Sequence, residues 1–223
     1  MKIRSVDELV SFLDSELAWR KRELTTFKLE VEACKRDHLR KLWLRAAVPI
    51  LYAHWEGYIK LAAQAYLAYV ASKGLRYCDL QFNFVAVARL GDIQQAARTK
   101  QAEKHVQLVE SFIRFDTEQA RIPTEGIIDT ASNLNSEVLS NVLCTIGLPY
   151  DEYWRAKAVK IDRSLLGLRN GIAHGERREV TLDEYRELHE LVIDCLEYMK
   201  RMVEAYCENR WYLRGSALDK RMA

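Results

Sequence analysis

Nine glycines and three prolines are all that interrupt 223 residues, and the runs between them are rich in Leu, Ala, Glu, Lys and Arg. Glycine and proline are the residues that stop helices and make turns, and the other five are among the strongest helix formers. A β-sandwich or barrel needs frequent turns, which this chain does not supply. The sequence therefore dictates an all-α fold, with the apolar stripes of long helices packed against one another in a bundle. A chain of this length buries a sizeable core as one large domain or two small ones. No internal repeat and no low-complexity linker divides it, so a single helical domain over residues 1–223 is expected.

Capping signals place the helices. Ser5-Val6-Asp7-Glu8 has the form of a capping box, and Leu9, Phe12, Leu13, Leu17, Leu24 and Phe27 follow at helical spacing towards Cys34. A second helix is expected from about Asp37 to Ser72, with Gly74 as its stop and Pro49 as a kink or the true start. Between residues 75 and 135 the stretches 83–97 and 104–115 read as helical and 120–135 as a loop. A short helix over 136–146 ends at Gly147 and Pro149, and another runs from about Tyr150 into a glycine-bearing break. Thr181-Leu182-Asp183-Glu184 is a second capping box, opening a last helix to about Tyr206.

Several functions are disfavoured by composition. A net charge of +2 is too small for a polybasic nucleic-acid binder, although a local basic patch remains open. The five cysteines form no C-x-x-C pair and read as free thiols in a reducing cytoplasm. The N-terminus lacks the apolar run of a signal peptide. Residues 46–71 are apolar but carry His54, Glu56, Lys60 and Gln64, which suits a buried helix and not a membrane span. Neither a glycine-rich phosphate loop nor histidines at metal-ligand spacing occur, so no cofactor and no metal is expected.

The break itself, R-N-G-I-A-H-G-E at 169–176, gathers an arginine, an asparagine and a histidine beside two glycines. Arginine is a permanent, planar fork for phosphate oxygens, and histidine moves protons near neutral pH. Together they suit attack of a ribose 2′-hydroxyl on its own phosphodiester, a scheme that requires no metal. On an unbroken helix positions 169 and 174 would point about 140° apart. An ending at Gly171 or Gly175 would bring both side chains to one cleft. If the helix instead continues, Asn170 and His174, four apart, would share a face, so that Asn170 holds the imidazole. Residues 155–178 hold seven cations against Asp162 and Glu176, and Arg163, Arg177 and Arg178 are the expected substrate contacts. The same segment could equally be a plain helix end, with Arg169 in a salt bridge and His174 capping carbonyls.

L-L-G-L-R-N-G-I-A-H-G-E resembles the R-x-x-x-x-H motif of the HEPN superfamily, in its R-N-x-I-A-H-G form. D-S-E-L-A-W-R-K-R-E-L-T, L-Y-A-H-W-E-G-Y-I-K-L-A-A and S-N-L-N-S-E-V-L-S-N-V-L-C-T-I-G-L look like segments of a bacterial subfamily of HEPN-like nucleases, in the same order. The resemblance covers nearly the whole chain. It implies an antiparallel helix bundle with extra inserted helices, a homodimer with a shared cleft, and metal-independent cleavage of RNA. It implies Arg169 and His174 as the catalytic pair, with Asn170 at the polar position after the arginine. It also implies a role as a toxin or an antiphage or stress effector, where an antitoxin protein is one class of partner. Some HEPN domains only bind nucleotides or other proteins, and that is the alternative expectation.

Two further groups stand out. His54 and Glu56, in Y-A-H-W-E-G-Y, would support the catalytic pair from behind, or else Trp55 is core and Glu56 pairs with Lys60. The tail mixes Arg210, Arg214, Lys220 and Arg221 with Trp211 and Tyr212, either a stacking surface for single-stranded RNA or a frayed terminus.

Overall fold

A computed structural model describes residues 1–114 and 117–215. Its frame is three long helices: α1 (Val6–Ala33), α2 (Asp37–Ser72) and, at the far end of the chain, α9 (Leu182–Glu208). Each packs against the other two. Between them in sequence lie α3 (Phe82–Ala88), α4 (Leu90–Ala97), α5 (Ala102–Arg114), α6 (Ser136–Thr145), α7 (Glu152–Val159) and α8 (Gly167–Ala173). Among the described residues there is no strand, only the isolated bridges Arg76 to Gln119 and Leu80 to Leu213.

Both capping boxes form. The Ser5 hydroxyl accepts from the Glu8 amide at 3.0 Å, and the Thr181 hydroxyl accepts from the Glu184 amide at 3.2 Å, with each glutamate reaching back to the cap amide. The stops hold too. Gly74 and Gly147 take φ of 60° and 72°, the left-handed turn in which a helix chain leaves its axis at little cost only when no Cβ is present. Leu9, Leu13, Leu17 and Leu24 of α1 meet Tyr52, Trp55, Tyr58 and Ile59 of α2 and Leu188, Val192, Leu196 and Met199 of α9 in one buried cluster. Each such side chain contributes about 1.5–3 kcal/mol on leaving water. No helix among the described residues is long and apolar enough to cross a membrane.

Helix α2 spans the expected Asp37–Ser72, with Pro49 inside it and not at its start, and the structure departs from the sequence reading in three places. Residues 83–97 form two helices, because Arg89 turns out of the helical path (φ −101°, ψ 8°). Its guanidinium reaches Asp92 at 3.4 Å, lies 4.2 Å over the Tyr77 ring and donates to the Ser111 carbonyl at 3.2 Å. The stretch from Glu152 to Ala173 is one continuous rod, but residues Lys160–Leu166 within it are π-helical, bonded i to i+5. The start of the tail is docked, not frayed: Tyr212 is buried against Tyr69, and the Arg214 amide donates to the Asp79 carbonyl at 2.9 Å. Lys220 and Arg221 lie outside the described residues.

Candidate functional site

The π-helical segment hands the chain to α8, which lies on α2. Leu165 and Leu166 are buried just before it, Gly171 is buried within it, and Leu168 and Ile172 pack against the core. Those apolar positions fix the roll of α8 and so the directions of Arg169 and His174.

Arg169 is half-buried and held on all sides. Its Nη1 donates to Asn170 Oδ1 at 2.7 Å and to Asn133 Oδ1 at 2.9 Å, and its Nη2 donates to the Ser132 carbonyl at 3.2 Å. The guanidinium carbon lies 4.3 Å from the centre of the Tyr52 ring on α2, a cation–π contact. A guanidinium has five N–H groups. Three are spent in this way, and those remaining at Nε and Nη2 have no acceptor among the described residues.

The acceptors are themselves braced. Ala131 and Ser132 have φ of 52° and 55°, a left-handed pair without glycine, costing roughly 1–2 kcal/mol per residue. The loop holds that shape because α2 grips it at three points. The Leu134 amide donates to the Tyr52 hydroxyl at 2.5 Å, Trp55 Nε1 donates to the Leu134 carbonyl at 3.2 Å, and the Thr130 hydroxyl donates to Glu56 at 2.6 Å. Asn135 then caps α6, and Asp162 of the π-helical segment accepts from the Ser136 amide at 2.7 Å. Burial and the neighbouring Glu56 carboxylate push the Tyr52 hydroxyl up to about 12, so it stays neutral and donates or accepts only as a phenol.

His174 is arranged in the opposite manner. It is the C-cap of α8 (φ −83°, ψ 6°), and the chain leaves the helix in a Schellman turn: the Gly175 amide donates to Ile172 and the Glu176 amide to Gly171, at 3.1 and 2.9 Å. Gly175 supplies the required φ of 81°. The imidazole is exposed and has no partner among the described residues. Gly171 does not end the helix; its bare α-carbon makes room for the returning chain, since a Cβ there would come within 2.9 Å of Arg178 Nε and 3.0 Å of Glu176 Oε2.

The helix thus continues past Arg169, and within one chain positions 169 and 174 keep the offset of about 140° expected for unbroken helix. Asn170 binds Arg169 and not the imidazole. Of the other expected site residues, Arg163 and Arg177 are exposed, and Arg178 pairs with Glu176 at 2.8 Å. Lys157 and Lys160 are tied to Asp194 and Glu187 of α9. Glu56 belongs to the loop-gripping set behind Arg169. His54 does not: it faces α1, 3.5 Å from Glu23 and 5.2 Å from the Trp19 ring, with its protonation disfavoured chiefly by burial. Adjacent helix positions lie about 100° apart, so two residues' separation puts His54 and Glu56 on different sides of α2. Sequence reading missed Tyr52, Thr130, Ser132 and Asn133. A Ser-Asn pair in a loop signals a turn, but nothing in it names a partner 36 residues away. Among the described residues no group of three or more His, Cys, Asp or Glu side chains could hold a metal ion.

An all-α bundle that presents an arginine and a histidine five residues apart at the end of a helix is the architecture expected of a HEPN module. The chain matches the family model described as RiboL-PSP-HEPN over residues 15–205, and it belongs to that family. Comparison with curated proteins and with solved structures finds no match.

Proposed function

We propose that this chain is a metal-independent endoribonuclease of the HEPN type, acting as a cytoplasmic homodimer in a toxin or in an antiphage or stress system. The observation that carries the reading is the contrast at 169–174: a braced guanidinium with two N–H groups still to give, and an unpartnered imidazole one turn further on. Arg169 binds the phosphate through those two groups and stabilises the charge that develops on it. His174 takes the 2′-hydroxyl proton; the 2′-oxygen bonds to phosphorus, the P–O5′ bond breaks, and the leaving 5′-oxygen collects a proton from a second imidazole. Asn170 positions Arg169. The offset between the two side chains favours pooling across two protomers, with Arg169 of one facing His174 of the other.

Purified protein incubated with total RNA in EDTA should leave 2′,3′-cyclic phosphate and 5′-hydroxyl ends, and should run as a dimer by native mass. Products with 5′-phosphates, or activity lost on chelation, would rule out 2′-hydroxyl attack. RNA that is bound but never cut would make the chain a HEPN-type binding module, with a nucleotide or a partner protein as its ligand.

A further inference from the structure

Beside the exit from α8, the first turns of α2 and residues 177–182 enclose a groove of about 470 Å³. Arg40, Lys41, Arg45, Arg177 and Arg178 line it, against Asp37 and Glu179. Such an excess is notable in a chain whose whole net charge is +2. Asp37 is shared by Arg40 and Lys41, at 3.3 and 3.2 Å, and these two cations hold its carboxyl below the usual range, so it stays ionised and partly offsets them. Arg178 is engaged by Glu176. Arg45 and Arg177 have no ion-pair partner among the described residues.

The position of the groove is as informative as its charge. Arg45 precedes Tyr52 by seven residues, two helical turns, so both sit on one face of α2 about 10 Å apart along its axis. Tyr52 carries the Arg169 guanidinium. On the other wall, Arg177 and Arg178 follow directly on the Schellman turn that sets His174. Arg178 is seated over Gly171. A line of positive charge therefore leads away from the Arg169 and His174 end of α8 along the start of α2. A polyanion with regularly spaced charges matches that line, and Leu42, 58% exposed on the rim, offers apolar surface to a base.

We propose that this groove binds the phosphate backbone of single-stranded RNA flanking the cleaved bond, with Arg45 as its central cation. The proposal rests on the ribonuclease reading for its ligand but not for its test. The probe is a fluorescein-labelled 2′-O-methyl oligouridylate of about 16 nucleotides, the upper size of a typical single-strand site, which lacks the attacking hydroxyl and stays intact. Anisotropy titrations over a range of salt should show Arg45→Gln weakening binding several-fold, with the log–log salt slope shallower by about 0.7, the loss of one phosphate contact. Arg45→Glu should weaken it further. Arg98→Glu, the same charge change on the turn after α4, should do neither. Circular dichroism checks that α2 is intact in each variant, and the neutral glutamine variant serves if the glutamate one is not folded.

Unchanged binding and slope in folded Arg45→Gln, or an equal loss from Arg98→Glu, would overturn the groove. A pool of total RNA, incubated with the wild-type chain in EDTA, reads the ribonuclease separately from the groove. Cleavage of that pool with Arg45-independent oligonucleotide binding would leave the ribonuclease standing without the groove. Arg45-dependent binding with no cleavage of any RNA would leave the groove standing without the ribonuclease.

Discussion

The two ends of α8 are built on different principles although five residues separate them. The Arg169 end is over-determined: three donated hydrogen bonds, an aromatic face and a loop in a costly conformation hold one guanidinium in place. The His174 end is fixed only in its backbone, by a glycine turn, and its side chain is left in solvent. The contrast suits the proposed roles: a charge that must meet a phosphate in one orientation needs bracing beforehand, whereas a proton carrier needs access and freedom to change its partner.

The largest effect should come from breaking the solvent end. His174→Ala should lower RNA cleavage by about 10³-fold, within the range for losing a general acid–base group, with no change in thermal stability. Arg169→Ala should lower cleavage by about 10²–10³-fold and also cost about 1 kcal/mol of stability, since Ser132, Asn133 and Asn170 lose their shared donor. Mixing the two inactive chains sharpens the comparison, because each heterodimer retains one arginine and one histidine on different protomers. Weak recovery of cleavage is expected; none, in verified heterodimers, would mean that the pair works within a single chain or that both copies are needed.

A smaller effect should follow from stiffening the turn. Gly175→Ala forces a side chain into φ of 81° and should destabilise the protein by about 1 kcal/mol, read as a lower denaturant midpoint, with cleavage falling as His174 frays. An unchanged midpoint would mean that the turn relaxes freely and does not set the imidazole.

The smallest effect lies away from both ends. His54 and His189 are buried among α1, α2 and α9, and burial lowers the proton affinity of each below the ordinary value of 6.5. The unfolded chain takes up protons at these sites as pH falls through 6.5, before the folded chain does, so stability is full above that value and declines below it. Thermal midpoints should therefore drop gradually below pH 6.5, and His189→Gln should flatten part of that slope. A midpoint that is level from pH 7 to 5 in the wild type would remove both histidines from the account.

What the sequence made legible was whatever local chemistry decides. The capping boxes at Ser5 and Thr181 and the stops at Gly74, Gly147 and Gly175 are spelled by neighbouring residues, and the helices begin and end there. Arg169 and His174 stand out for the same reason. The partners of Arg169 did not, because Ser132 and Asn133 reach it only after the loop is clamped to Tyr52, Trp55 and Glu56 across the bundle. The seat of Arg20 was hidden likewise: it is 7% exposed, with its charge answered by Glu16 and its plane stacked 4.3 Å over Trp19. Spacing alone treats such a residue as a solvated helix face.

The π-helical turn at Lys160–Leu166 makes residue number itself a structural variable. Its i to i+5 bonding takes up roughly one more residue per turn than an α-helix, and Trp154 upstream and Gly171 downstream are both buried along the one rod. A deletion inside the stretch is largely absorbed as it closes to ordinary helix, whereas deleting a single residue from the α-helical turns before it swings everything beyond by about 100° around the axis. Arg169 would keep its chemistry and lose its address. In this part of the chain length, as much as composition, decides which way the guanidinium faces.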